Sequence, residues 1–512
     1  MSKRINQMKN NLIFLSLILF SASLLSNCAL KEPVAVPRPS NEYSIIDGDT
    51  IKTLINKDYL KAQSLDPVNI NYIVVGDTIV IYQEPKLHTQ PANAPDLVKL
   101  KNNDDPELKG KPLRYVAVGG SMAAGVRDGG YFNEAIMTSY PNLIARQMRL
   151  AKFEQPLFDS DSYNGFGRKA ITGFNPTGGP VPKFNIVKNN TAVEDASGVK
   201  VRLKPAQNRD RLDNYATPFI NEATLMAGIE TFKSDRKEIS TFFNSIYAKR
   251  LVADEKSFVN LAHQINATKY DFLTIDIWTD TIIYGAINGS RGNEFIDYLN
   301  GTSYTDKVIA SLVDNKKSKL VLVNIPNILD FPYFRIMTKE LIMQAIPGEK
   351  YIYYYRVNQV PYYEYISEST HTYLPTSTLD SLASTKINLT MKNGGTAKKP
   401  MNGNRQIISS GTREDIGNGI NRFNIEIEKN SKIYDCALVD LNKFYKIIMG
   451  RGYMEDGILI DPSYPNGNFF SSDGLFPTPL GQAIIANEVI RTINRHYKTN
   501  IPLISVREYL NR

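Results

Sequence analysis

The stretch Tyr115-Val116-Ala117-Val118-Gly119-Gly120-Ser121-Met122-Ala123-Ala124-Gly125-Val126 decides how the rest of the chain is read. Its apolar run of four residues predicts a buried strand. The paired glycines predict a tight turn that a Cβ would obstruct, and Ser121 then opens a helix. On this reading the Ser121 hydroxyl projects at the C-terminal edge of a sheet, beside a helix start whose free N–H groups favour negative charge. Ligands of open α/β sheets bind there. The same serine would equally serve as a helix N-cap, a position it favours on its own account.

Outward from this stretch, further short apolar runs recur at Phe272–Ile277, Leu320–Ile325 and Ala437–Val439, separated by amphipathic helical stretches. Such runs predict an α/β domain with a parallel central sheet covered on both faces. Two long stretches break the rhythm, at about 155–215, rich in Gly, Pro and Asn, and at about 340–430. Insertions of that size in an α/β domain are commonly lids or binding loops. The second carries Tyr351-Ile352-Tyr353-Tyr354-Tyr355 and Pro361-Tyr362-Tyr363, a cluster that could stack on sugars or acyl chains or simply pack the insertion onto its own domain.

The N-terminal region has a different character. Lys3, Arg4 and Lys9 precede an apolar run from Leu12 to Leu25, too short to span a bilayer comfortably and flanked as a secretory signal peptide is. It ends in Leu25-Ser26-Asn27-Cys28, which resembles a lipobox, with cleavage before a lipid-bearing Cys28. The plainer reading is a secreted chain whose Cys28 has no special role. Residues 1–27 are thus assigned to a signal peptide, 28–42 to a Pro-rich tether, 43–83 to a small module and 84–111 to a polar linker. The domain at 112–512 follows. Tyr43–Ile51 and Ile73–Ile81 are expected to be the opening and closing strands of the module, with helical material between. Its two Gly-Asp-Thr turns resemble those of LysM modules, which bind peptidoglycan, although such turn signals recur widely.

Removing the signal takes away three cations and lowers the net charge from +8 to +5. That surplus is small for so long a chain, and no basic block interleaves with aromatics, so nucleic-acid binding is not expected. Cys436, the other cysteine, lies in an apolar run and is expected to be a buried thiol without an intrachain partner. No cysteine or histidine cluster has metal spacing and no phosphate or dinucleotide fingerprint occurs, so neither metal nor cofactor is expected.

Several blocks in order resemble the SGNH (GDSL-type) hydrolases, in particular their Bacteroidota outer-membrane lipoprotein subgroup. After the Ser121 stretch come Arg127-Asp128-Gly129-Gly130 and Ser139-Tyr140-Pro141-Asn142-Leu143. Val323-Asn324-Ile325-Pro326-Asn327 and the final block Ser472-Asp473-Gly474-Leu475-Phe476-Pro477-Thr478 follow. The resemblance covers about 112–502. It implies a three-layer α/β/α, flavodoxin-like fold and a serine ester hydrolase mechanism: a nucleophilic serine, a histidine base oriented by aspartate, and an oxyanion hole.

Carried over residue by residue, the match is uneven. Ser121 stands at the nucleophile and Asp473 at the orienter, but the base position three residues later holds Phe476. Phe219, closing Asn214-Tyr215-Ala216-Thr217-Pro218-Phe219, stands at the oxyanion-hole glycine, and Thr279 stands at the oxyanion-hole asparagine. Phenylalanine cannot take a proton, and loss of the base costs such enzymes on the order of a million-fold in turnover. Of four histidines, His88, His263, His371 and His496, only His371 lies in an insertion that could fold back as a substitute base. Asp276 and Asp280 are four apart, in a run that reads as strand and then loop, which argues against a glycosidase carboxylate pair.

The expectation is a catalytically impaired SGNH-family lipoprotein of the cell envelope, on the outer membrane. It would be held by lipid at Cys28, with residues 43–83 on peptidoglycan, and would serve as a binding or assembly component, as lipoproteins of this kind do within envelope protein complexes. The alternative is an active serine esterase on acyl or carbohydrate esters that uses a relocated base.

Overall fold

The computed structural model describes residues 50–52, 71–75, 78–82, 87–174, 181–187, 190–196, 201–222, 225, 246–252, 261–287, 305–313, 317–341, 351–355, 361–365, 371–375, 401–402 and 407–510. The expected signal peptide, Cys28, the tether and the helical part of the small module lie outside these residues. The chain divides into two units, 1–84 and 85–512.

In the first unit, β1 (Thr50–Lys52), β2 (Asn71–Val75) and β3 (Thr78–Tyr82) form an antiparallel sheet in the order β1-β3-β2. The closing run Ile73–Ile81 thus contributes to two strands, β2 and β3, with Gly76-Asp77 between them in the chain. A Gly-Asp pair between β-prone runs is a stronger hairpin signal than strand signal.

The second unit is built on a parallel sheet of β4 (Tyr115–Gly119), β9 (Phe272–Asp276), β10 (Lys319–Val323) and β16 (Ala437–Val439), in the order β4-β9-β10-β16. All residues of β4 and β9 are buried. Both faces of the sheet are covered, which is why these strands read as unbroken apolar runs. On the outer side of β4 runs a further parallel segment. Ala117 donates its N–H to the Asp213 carbonyl, and the N–H groups of Tyr215 and Thr217 return to the carbonyls of Ala117 and Gly119. The chain thus steps to one side of β4 and then crosses to β9 on the other. Crevices at such reversals, beyond the C-terminal ends of the strands, are where open α/β sheets bind ligands.

The described helices are α1 (Ser121–Ala124), α2 (Asn133–Met137), α3 (Tyr140–Gln147), α4 (Leu261–Ala267), α5 (Thr279–Ile287), α6 (Thr305–Leu312), α7 (Ser410–Ile433), α8 (Leu441–Met449) and α9 (Pro479–Tyr497). α3 packs on α9, whereas α6 packs on α4 and α7. Ile416, Ile420, Phe423 and Ile427 recur on one face of α7 and are buried in the core, so the chain has rejoined the sheet by residue 410, twenty residues before the expected end of the second insertion.

The expected insertions carry their own β-structure. In the first, β5 (Arg168–Phe174) pairs with β6 (Pro182–Val187) and β7 (Val193–Ala196) with β8 (Val201–Leu203), both antiparallel. In the second, the tyrosine cluster forms β11 (Tyr351–Tyr355) and β12 (Pro361–Tyr365), an antiparallel pair, and β11 also runs parallel to β14 (Met401–Asn402). The contacts of these tyrosine side chains lie outside what the structure describes. β13 (Thr372–Tyr373) pairs with β15 (Ile407–Ile408). Cys436 is buried beside β16, and burial pushes its thiol up to about 12, as befits an inert side chain. No helix among the described residues is long and apolar enough to cross a membrane.

Candidate functional site

The site forms where β4 and β9 end. Gly120, not Ser121, is the N-cap of α1, and Ser121 makes no capping bond, which removes the N-cap reading of this serine. Its hydroxyl instead donates to Asp280 Oδ2 at 2.7 Å. The same oxygen accepts the backbone N–H of Ser121 at 2.7 Å and that of Phe219 at 2.7 Å. Phe219 N–H also lies 3.2 Å from Ser121 Oγ. Three donors from two segments therefore converge on one carboxylate oxygen. Ser121 is 0% and Asp280 2% exposed, so solvent does not compete for these bonds.

Backbone geometry makes this convergence possible. Phe219 adopts φ +56°, a left-handed conformation rare for a bulky residue, which turns its N–H toward Asp280. A Cβ on Gly120 would stand 2.7 Å from Asp280 Cγ, so only glycine lets the carboxylate come this close. Gly120 N–H in turn bonds the Asp276 carbonyl at 2.6 Å, tying the turn after β4 to the end of β9.

Two buried carboxylates share this corner. Burial pushes Asp280 up to about 6, against the pull of the hydrogen bonds from Ser121 and Phe219. Burial, then the charge of Asp280, pushes Asp276 up to about 7. The one hydrogen bond Asp276 accepts through its side chain is from the Tyr140 hydroxyl, at 3.1 Å.

The other expected positions are differently employed. Asp473 accepts the N–H of Gly129 at 3.0 Å on one oxygen, and those of Leu475 at 2.8 Å and Phe476 at 2.9 Å on the other. It thereby staples its own loop to the Asp128-Gly129 turn, and Ser472 N–H adds a bond to Asp128 at 3.1 Å. Burial raises the Asp473 carboxyl, and these N–H groups offset part of that. Phe476 is buried and lines a cleft of about 340 Å³ together with Asp473, Phe219 and Tyr131. Ser121 does not line it. Thr279, expected near the serine, is the buried first residue of α5, and its hydroxyl finds no hydrogen-bond partner. The side chain that reaches Ser121 comes from the next residue, Asp280.

None of the four histidines is a partner of Ser121. His371 takes the Ser410 N–H on Nδ1 at 3.1 Å, at the start of α7. It lines a separate depression with Leu329, Phe334 and Arg413 that shares no wall residue with the Phe476 cleft. The structure does not bring it to the serine because its ring serves a helix end.

Asp280, which the sequence reading weighed only as half of a glycosidase carboxylate pair, is the side chain that the structure brings to Ser121. The run after β9 is helix and not loop, and this places Asp280 in the first turn of α5, where an acid is favoured. The available signal was its setting: two acids inside an apolar block have no solvent to face and so must meet polar partners within the fold. Among the described residues no group of three acidic, histidine or cysteine side chains is placed to hold a metal ion. The chain matches no family model, no curated protein and no solved structure.

Proposed function

We propose that the second unit is an SGNH-type hydrolase domain that has lost ester chemistry and acts by binding. The observation that carries this reading is the Asp280 carboxylate on the N–H groups of Ser121 and Phe219. In a serine hydrolase of this type those donors would receive the developing oxyanion. A carboxylate already bonded to both excludes a substrate oxygen from the same place. It cannot act there as the serine's base either, because a base must hold its bond to the hydroxyl while the substrate oxygen fills the hole. Phe476 at the base position and an Asp473 already engaged by three N–H groups support the same reading, as does the engagement of His371 at Ser410.

On this proposal the chain is a lipoprotein of the cell envelope, on the outer membrane, anchored at Cys28 and contributing to an envelope assembly. The support for location is the N-terminal sequence: a basic head, an apolar run and a cysteine. Residues 43–83 are proposed to tether it to peptidoglycan, which a pull-down on isolated cell walls with and without that segment would test.

The decisive experiment for the catalytic reading is covalent labelling of the folded protein by a fluorophosphonate probe, with Ser121→Ala as control. No labelling above the control is expected. Stoichiometric labelling at Ser121 would overturn the proposal.

A further inference from the structure

With the Ser121 corner closed by Asp280, whatever binds beside it must be held by the walls of the neighbouring cleft. At about 340 Å³ the cleft lies at the lower end of the range for small-molecule sites. Its walls come from several parts of the chain: Phe184 on β6, Phe219, Tyr247, Tyr333 and Phe476 give it an aromatic lining. Such a lining takes a hydrocarbon body and leaves the polar end of a ligand to find its own partner.

Among the described residues only two charged side chains line this cleft, Lys169 and Asp473. Asp473 already accepts three backbone N–H groups, so little of its hydrogen-bonding capacity remains for a ligand. Lys169 is in the opposite condition. It is an exposed side chain on β5, and among the described residues its ammonium makes no ion pair. It lies 5.4 Å from the centre of the Phe184 ring. Pairing of Ile171 with Phe184 across the β5–β6 ribbon, two residues on from Lys169, puts Lys169 and Phe184 on one face of the hairpin. That hairpin thus presents an uncommitted cation next to an aromatic wall.

Resting on the non-catalytic reading above, we infer that this cleft is a binding site for an amphipathic monoanion. Its hydrocarbon body lies against the aromatic wall and its anionic head against Lys169. The sign of the ligand follows from which charge is already satisfied. The acid of the cleft is committed to the loop that carries it, and the cation is not.

Isothermal titration of the full-length protein with decanoate tests this, with decyltrimethylammonium as the matched cation. Decanoate is expected to bind the wild type on the order of tenfold more tightly than the cation, and Lys169→Glu to weaken decanoate by about the same factor. An exposed charge pair gives at most about fivefold, and charge reversal adds a repulsion of similar size. Lys169 is at the surface, so loss of the fold does not confuse the result. Equal binding of the two ligands, undetectable binding of decanoate, or an unchanged decanoate affinity in Lys169→Glu would overturn the inference. Hydrolysis of p-nitrophenyl decanoate by the same preparations separates the two readings. Ser121-dependent turnover refutes the loss of catalysis and leaves the Lys169 result standing. Charge-independent binding by an inert protein refutes only the ligand class.

Discussion

Replacing Asp276 by asparagine is expected to stabilise the protein at alkaline pH far more than at acid pH. Asp276 is 2% exposed, its carboxylate accepts one hydrogen bond, from Tyr140 at 3.1 Å, and the charge of Asp280 repels it. Tyr140 and Tyr445, both fully buried, are the other titratable groups whose protons respond to it, and its presence raises both. Its carboxyl is raised from 3.8 to about 7, so the folded state favours the protonated form. A raised carboxyl contributes stability that is complete below the unfolded value and is lost as pH climbs through the folded one. Between about pH 4.5 and pH 8 that loss is on the order of 3 kcal/mol, at about 1.4 kcal/mol for each tenfold change in proton affinity. Asparagine keeps an oxygen for Tyr140 and cannot ionise, so the loss vanishes. Any packing cost of the amide is the same at both ends. Denaturant unfolding of the second unit, wild type against Asp276→Asn, measures it. The advantage of the variant should grow by roughly 3 kcal/mol from the acid to the alkaline end. A difference independent of pH would refute the claim that burial of this carboxylate costs the fold anything.

Gly120→Ala should lower the thermal midpoint by an amount equivalent to about 2–3 kcal/mol. Its Cβ would stand 2.7 Å from Asp280 Cγ in a close-packed corner, and an undisturbed midpoint would mean that Asp280 does not press on the turn. His371→Ala removes the acceptor for Ser410 N–H and should cost about 1 kcal/mol in unfolding free energy. It should leave fluorophosphonate reactivity of Ser121 as it was, and a change there would reopen the case for a relocated base. Phe476→His, which on the proposed SGNH reading puts an imidazole at the base position, should give no ester turnover in a p-nitrophenyl acetate assay. Asp473 already accepts three N–H groups, and Asp280 still holds the N–H groups of Ser121 and Phe219 that the proposal assigns to an oxyanion. Turnover from that single change would show that Asp280 is not the obstacle.

The central strands were legible because burial on both faces leaves a plain signature. Ala437–Val439 was placed to the residue, and Tyr115–Val118 and Phe272–Ile277 to within one. Leu320–Ile325 began one residue late and ended two late, since β10 is Lys319–Val323 while Asn324 N–H still bonds the Val439 carbonyl and Ile325 stays buried. The turn at Gly119-Gly120 was equally readable, since a tight reversal into a helix leaves few alternatives to glycine. Asp280 was not readable. Its role depends on a contact across 159 residues with Ser121 and on the left-handed backbone of Phe219, and no local pattern encodes either. The helix that carries it begins Thr279-Asp280-Thr281, residues with poor helix propensity, and packing of Ile282, Ile283 and Ala286 decides the matter instead. The beginning of α7 was hidden for a related reason: a Gly- and Asn-containing helix looks like insertion until its buried stripe is seen against the sheet.

The donors around Asp280 hang from one ladder. Ser121 follows β4 without a break, and the segment that ends at Phe219 is bonded to β4 through Ala117, Tyr215 and Thr217. Asp280 follows β9, which is paired to β4 along its length and bonded to Gly120 at its end. No hinge lies between the two N–H groups and the carboxylate they hold. Freeing them therefore requires one side chain to change rotamer inside a packed corner, with the backbone standing still. Its rate would be set by local packing around a single torsion, and not by the microsecond-to-millisecond hinge motions that open most closed clefts.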